Sequence, residues 1–397
     1  MKAELLAPAG NFSKLKTAIY FGADAVYLGG KDFSLRSFAD NFSRDELAEA
    51  VKYAHSLGKK VYVTVNIYAR NKDLALMEDY FAFLYSAGAD AALISDCGVL
   101  YAAKKAAPKF AVHISTQANV TNKYAVKFWR EQGAERAVLA RELSLAEIKE
   151  IHDFVPEMQL EAFVHGAMCI SYSGRCLLSD YLTGRPSNRG ECAQACRWNY
   201  SIRKNDDKSD SGWLDIEQDE RGAYILNSKD LNMSAHLEEM ERAGVCSFKI
   251  EGRMKSEYYL ATVINAYRRC MDGGFTPAVA RELNTAAHRD YTTAYAFGEN
   301  HSTVNYSDSQ AKGDCDYIGN VCGYDGEYAL VEMRGRFRAG EVLEVLSPSE
   351  NFGKSFSVGE VFAPDGSLVT DCKLVQAIYR VKCPYKLSAG DILRRRK

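Results

Sequence analysis

The sequence predicts an α/β protein: a (β/α)8 TIM-like barrel with a long cysteine-bearing loop after strand 7, plus a C-terminal small antiparallel β-barrel. Three observations predict it. Short apolar runs alternate with amphipathic helical stretches eight times over about 270 residues, the rhythm of strand–helix units closing a parallel barrel. The seventh unit is interrupted by roughly 70 residues, far longer than an ordinary connection, and that interruption holds Cys169, Cys176, Cys192 and Cys196. From Asp316 onward, short alternating runs broken by turns such as YDG and PDG replace the helical period, as in small antiparallel barrels.

The elements follow in order. Strands are expected at 4–7 (ELLA), 25–28 (AVYL), 60–65 (KVYVTV), 91–94 (AALI), 111–114 (AVHI), 136–139 (RAVL), 159–164 (QLEAFV) and 247–250 (SFKI). Amphipathic stretches such as SRDELAEAVKYAHSLGK and SLAEIKEIHDF lie between them, several opening at a Ser or Asn cap and closing near Gly, as helices do. The tripeptide GAD recurs at 22–24 and 88–90, each time between a helix and the next strand. No G-x-G-x-x-G follows the first strand, so nothing favours a dinucleotide-binding open sheet. The expected domains are a catalytic barrel at 1–275 with an insertion at about 166–233, a connection at 276–312, and the β-barrel at 313–397.

Composition narrows the class. The chain has 397 residues, 47% hydrophobic and 26% charged, with a net charge of -2, an ordinary globular balance without a global nucleic-acid signature. Basic residues are local: Arg175, Arg185, Arg189 and Arg197 lie among the cysteines, and the chain ends RRRK. The N-terminus has no signal-peptide pattern, and no run reaches the roughly 18 apolar residues of a membrane span. A cytoplasmic protein without membrane attachment is expected, where disulfides are rare.

Side chains alternate along a strand, so period-2 polar residues at strand ends share one face. Thr64 with Asn66, then His113 with Ser115 and Gln117, fall into such sets, as do Glu161 with Phe163 and His165, and Lys249 with Glu251 and Arg253. Arg141 and Glu142 close strand six. Buried charge is expensive unless paired. One reading is internal ion pairing, for example Glu161 with Lys249. The other is a polar pocket at the barrel mouth, where active sites of this fold sit. The pocket is the expectation for the set, with Arg141, Lys249 and Arg253 suited to a carboxylate or phosphate.

The cysteine spacing is C-x6-C-x15-C-x3-C. Only the last pair has the short separation of a zinc knuckle, and four thiolates suit an iron–sulfur cluster equally. Spacing leaves both open. Protease motifs H-E-x-x-H and G-x-S-x-G are absent, and a Cys169–His165 nucleophile pair has no evident orienting third group.

The run EAFVHGAMCISYSGRCLLS, together with ELLAPAGNFSKLKTAIYFGADAVYLGG, HISTQANVTN, NRGECAQACRWNY, NSKDL and SFKIEGRMKSEYY, closely resembles the collagenase-like peptidase family of unknown mechanism. The resemblance covers about residues 1–275, with a C-terminal β-barrel as in longer members. Members include proteins that hydroxylate tRNA, ribosomal RNA or ubiquinone, and the tRNA branch is the nearest likeness. The resemblance implies 5-hydroxyuridine formation at the wobble position of tRNA, a requirement for prephenate, and a 4Fe-4S cluster on Cys169, Cys176, Cys192 and Cys196, with zinc as the alternative metal. Prephenate, a dicarboxylate, would meet Arg36, Arg141, Lys249 and Arg253. His165, Glu161, Lys249 and Glu251 are the expected catalytic residues. Asn66, Gln117 and Tyr172 complete the expected substrate contacts, with Tyr172, Trp198 or Tyr200 stacking on a flipped base. The electron donor or partner protein stays unassigned. One departure stands out: many relatives read NSKDLC where this chain has Asn232.

Overall fold

The computed structural model describes residues 2–34, 40–169, 171–172, 175–198, 218–219, 222–223, 228–298 and 311–397. Arg36 and Tyr200 lie outside the described residues. The chain forms two units. The first runs from the N-terminus to Leu15, from Asp24 to Met254 and from His288 to Ala311; the second takes Lys16–Ala23, Lys255–Ala287 and Lys312–Lys397.

The first unit contains the barrel. Strands β1 (Glu4–Pro8), β2 (Ala25–Gly29), β3 (Lys60–Thr64), β4 (Ala91–Ile94), β5 (Val112–Ile114), β6 (Arg136–Val138) and β7 (Gln159–Ala167) pair in parallel in sequence order. The eighth barrel strand, Val245–Ile250, pairs in parallel with both β7 and β1 and closes the ring. Helices α2 (Arg44–Ser56), α3 (Asn71–Ser86), α4 (Cys97–Ala106), α5 (Lys123–Glu131) and α6 (Leu145–Phe154) alternate with the strands. Sequence dictates their starts: Ser43 and Ser144 each form a capping box, with Glu46 and Glu147, satisfying the first-turn N–H groups. The GAD repeats also have a mechanism. Gly22 and Gly88 take positive φ where helices end, open to a residue without Cβ. Asp24 and Asp90 then accept the strand N–H groups of Leu5 and Val61 at 3.0 and 2.7 Å. Inside the barrel Leu6, Ala25, Tyr27, Tyr62, Ala91, Leu93 and Val138 pack together.

Strand β7 outlasts its barrel partners. Its end pairs antiparallel with Asp230–Asn232, which pairs in turn with Tyr291–Thr292. The stretch 276–312, expected as a connection, therefore supplies a strand to the first unit. It also supplies a helix (Pro277–Leu283), capped by Thr276, to the second.

The second unit is an antiparallel half-barrel of seven strands, ordered Ser355–Ser357, Val342–Leu346, Ile392–Arg396, Cys315–Asp325, Tyr328–Met333, Ile378–Lys382, Val361–Phe362. Ile318, Val331, Phe337, Leu343, Val345, Val381 and Leu393 form its core. The terminal RRRK is not a free basic tail. Arg394 is fully buried between Glu282 and Glu344, Arg395 meets Asp316 and Glu341, Arg396 meets Glu344, and Lys397 meets Asp316. The strand's alternation turns Arg394 inward, and carboxylates already cancel its charge. Among the described residues no helix is long and apolar enough to cross a membrane.

Replacing Arg394 with Met is expected to cost about 3–5 kcal/mol, because Glu282 would be left as a buried charge without its partner. A lowered midpoint in urea unfolding of the full chain checks this; an unchanged midpoint contradicts it.

Candidate functional site at the barrel mouth

A buried charge network lies within the barrel. The Glu161 carboxylate, with no solvent exposure, bonds Lys249 Nζ at 2.6 Å and Arg136 Nη1 at 3.1 Å. Arg136 also reaches Glu4 at 2.7 Å and the Gln159 side chain. Burial alone would raise the Glu161 carboxyl, but Lys249 and Arg136 outweigh it and hold it well below the ordinary carboxylate range. Burial lowers the Lys249 ammonium, with Glu161 opposing. His113, buried beside this group, is pushed down to about 3 by burial and then by Arg136, so it is neutral. Strands β1, β6, β7 and the eighth barrel strand thus contribute charges that satisfy one another, as buried charges require.

Above this network, at the C-terminal ends of the strands, a cavity of about 60 Å³ is lined by Asn66, Ser115, Thr116, Gln117, Lys249, Glu251 and Arg253, with Tyr27, Thr64, Leu93, Val138 and Phe163. Asn66 Nδ2 donates to Ser115 and Gln117, both at 3.2 Å, and Ser115 donates to Gln117 Oε1 at 2.6 Å. Arg253 is buried. Its guanidinium donates to Ser34 at 2.8 Å, to Thr64 at 3.2 Å, and to Asn41. These three oxygens hold and orient the guanidinium. Gly29 makes this possible, since a Cβ there would collide with Arg253 Nη2 and Ser34 Oγ.

The cavity therefore brings together Asn66, Gln117, Lys249, Glu251 and Arg253 of the expected residues. Four others sit elsewhere. Glu161 lies below the cavity lining, in the ion pair that the sequence offered as the alternative to a pocket. His165 does not share a face with Glu161 and Phe163. A β-bulge leaves Phe163 opposite Lys249 but His165 opposite Ile250. One extra residue flips the alternation, and the His165 ring instead lies 5.4 Å from that of Tyr291. Arg141 stacks over Phe163 at 5.2 Å and donates to the Ala167 carbonyl at 3.0 Å. Tyr172 is half-exposed on the rim, where it lines an open recess with Asn119, Thr121, Ser171 and Arg175.

The insertion after β7 carries the cysteines around helix α7 (Leu178–Thr183). All eleven cysteines are free thiols. Burial raises the Cys196 thiol; Arg197 opposes, while the charges of Cys169, Cys192 and Cys176 raise it further, so the four are electrostatic neighbours. Gln194 donates its N–H to Cys192 Sγ at 3.4 Å. Among the described residues no three His, Cys, Asp or Glu side chains are grouped to hold a single metal ion. A tetrahedral zinc site draws four ligands to about 2.3 Å from one ion; a cluster of several irons spreads its thiolates wider. Four neighbouring free thiols are a donor set of the kind that either zinc or an iron–sulfur cluster takes. Asn232 is occupied locally, its Oδ1 accepting from Ser234 N–H at 3.1 Å.

Two contacts tie the insertion to the mouth. Arg189 donates to Asp73 at 3.0 Å and to the Tyr68 carbonyl at 3.0 Å, beside the end of β3. Burial lowers the Arg197 guanidinium, with Arg289 adding to this and Cys196, Asp230 and Glu251 opposing, so Arg197 feels charges of both the cysteines and the cavity. Sequence reasoning missed Ser34, Asn41, Arg136, Arg189 and Arg289. Arg136 had a readable signal, a charge opening an apolar strand. Ser34 and Asn41 had none, because nothing local distinguishes a hydroxyl or amide that will meet an arginine some two hundred residues away.

Residues 10–306 match the model of Peptidase family U32, and residues 313–394 match that of the Peptidase family U32 C-terminal domain. The chain belongs to peptidase family U32. It is 37% identical to tRNA hydroxylation protein P1 of Bacillus subtilis, over all of this chain and 95% of that one. It is 38% identical to the 23S rRNA 5-hydroxycytidine C2501 synthase of Escherichia coli, over 68% of this chain and 39% of that one. It is 31% identical to a collagenase of Porphyromonas gingivalis, over 87% of each.

Arg189→Ala should loosen the cysteine insertion: amide hydrogen exchange across 176–198 is expected to rise about tenfold at neutral pH, the loss of one charge-assisted bond. The Arg189 hydrogen bond holds the Asp73 carboxyl below its ordinary value against burial. The tether is therefore complete above about pH 4, the unfolded carboxyl value, and is lost only as pH falls through the depressed one. Exchange unchanged by the substitution contradicts the tether.

Proposed function

We propose that this chain hydroxylates RNA: the prephenate-dependent, oxygen-independent conversion of wobble uridine in tRNA to 5-hydroxyuridine, with an iron–sulfur cluster on Cys169, Cys176, Cys192 and Cys196. The observation that carries this reading is the meeting of two features at one barrel mouth, four neighbouring free thiols and a polar cavity with a buried arginine, in a chain that matches a tRNA hydroxylation protein over its whole length.

Each group then has work that its surroundings suit. Arg253, oriented by Ser34, Thr64 and Asn41, takes a carboxylate of prephenate. Asn66, Ser115 and Gln117 present amide and hydroxyl groups to a second oxygen function. A base must leave its stack to reach a recessed site; Tyr172 on the rim offers a stacking face, and Arg175 beside it meets a phosphate. Hydroxylation at C5 is a two-electron oxidation, and the cluster, when bound, supplies electron transfer. Arg197, which feels the charges of both Cys196 and Glu251, sets the charge between thiolates and cavity.

A second reading, hydroxylation of ribosomal RNA by the same site, draws on the 23S rRNA relative. The peptidase reading draws on the collagenase relative, but needs a nucleophile beside an oriented base. His165, its expected base, is turned by the bulge toward Tyr291.

After anaerobic purification, about four irons and four sulfides per chain are expected, with both lost in Cys176→Ser. Zinc or no metal would sink the cluster. Arg253→Ala is expected to lower hydroxylation about 100-fold, the loss of a charged hydrogen bond, while iron content stays intact; loss of iron as well refutes its substrate role. Nucleoside analysis of tRNA and ribosomal RNA from a deletion strain separates the two RNA readings.

A further inference from the structure

We infer that Lys249 is a covalent catalyst: its amine forms an imine with the carbonyl of a small 2-oxo acid held in the barrel mouth by Arg253. The inference rests on the proposed function in one respect, that prephenate carries a 2-oxo acid arm and is the occupant in view.

The geometry is that of a nucleophilic lysine rather than of a surface anion hook. Lys249 lies near the C-terminal end of the last barrel strand, 4% exposed, and lines the mouth cavity. Its Nζ sits 4.4 Å from the centre of the Tyr27 ring and 5.6 Å from that of Phe163. Apolar walls and a second nearby cation are what activate a lysine amine, and Arg136 is that cation, sharing the Glu161 carboxylate. Arg253 lines the same cavity and supplies the charge for the carboxylate next to the reacting carbonyl.

The step balances without oxidant or reductant. The ammonium passes a proton to Glu161 along their 2.6 Å hydrogen bond. The free amine adds to the carbonyl carbon, forming the C–N bond, and the carbonyl electron pair moves to oxygen, which takes a proton from nitrogen. The nitrogen lone pair then forms C=N as the C–O bond breaks, and the oxygen leaves as water with the proton returned from Glu161. The product iminium keeps one positive charge, so Glu161 keeps its counter-ion throughout. The buried network, which would resist losing the lysine charge, does not resist this exchange.

The test is reductive trapping on the full chain. The protein is incubated with pyruvate, phenylpyruvate or prephenate and cyanoborohydride, then analysed by intact mass and peptide mapping. The expected result is one adduct per chain on Lys249, at least tenfold above any other lysine, and none in Lys249→Arg, which keeps the charge but cannot form the imine. Mapping in the wild type locates the adduct even if that variant folds poorly. Labelling spread over surface lysines, or none at all, overturns the inference. If trapping fails while prephenate still drives hydroxylation, the imine is wrong and the cosubstrate reading stands. If Lys249 is trapped while tRNA and ribosomal RNA stay unmodified, the imine stands and the RNA reading fails.

Discussion

The Glu161 carboxylate, clamped between Lys249 and Arg136 in the barrel, is the interaction on which the rest of the site depends. A parallel barrel fills its centre with side chains, usually aliphatic. Here strands β1, β6, β7 and the eighth barrel strand instead converge on two carboxylates and two cations, Glu4, Glu161, Arg136 and Lys249. Such a set tolerates few arrangements, because each member left unpaired costs several kcal/mol. It therefore specifies register at the closing seam, where the eighth strand meets β7 and β1. That register presents Lys249, Glu251 and Arg253 to the mouth.

Above this floor the site is assembled by long-range contacts between polar groups of modest individual strength. Arg253 gathers Ser34, Asn41 and Thr64, which joins the loop after β2 to the end of β3. Arg189 hooks the cysteine insertion beside β3 through Asp73, and Arg141 holds the Ala167 carbonyl at the insertion's start. Arginine suits all three positions, since its planar fork can serve several acceptors at once. The division of labour is physical: a buried ionic floor that resists change, and a rim of loops whose side chains choose what binds.

The bulge in β7 shows how far one residue can redirect chemistry. Strict alternation aims His165 into the barrel with Glu161; the extra residue aims it at Tyr291 and lets β7 run on to pair with Asp230–Asn232. The strand that ends the barrel wall thus begins the support for the cysteine insertion. The RRRK terminus makes the same point in the second unit: four basic residues in a row look like an RNA-binding tail, yet strand pairing and four carboxylates absorb them.

The barrel, the strand positions to within a few residues, and the placing of the cysteines in a long loop over the mouth are all legible in the amino-acid order alone. These follow from local rules: apolar period, caps such as Ser43 and Ser144, and the Gly and Asp of each GAD. The same order also marked Asn66, Gln117, Lys249, Glu251 and Arg253 as facing one space, because alternation in a strand is local too. Folding in three dimensions settles that Glu161 serves the floor rather than the cavity, that His165 turns away, that Ser34 and Asn41 hold Arg253, and that Arg189 hooks the cysteine insertion to Asp73. Each of those depends on a bulge or on contacts between residues far apart in the chain, and no short stretch of sequence encodes which distant oxygen an arginine will meet.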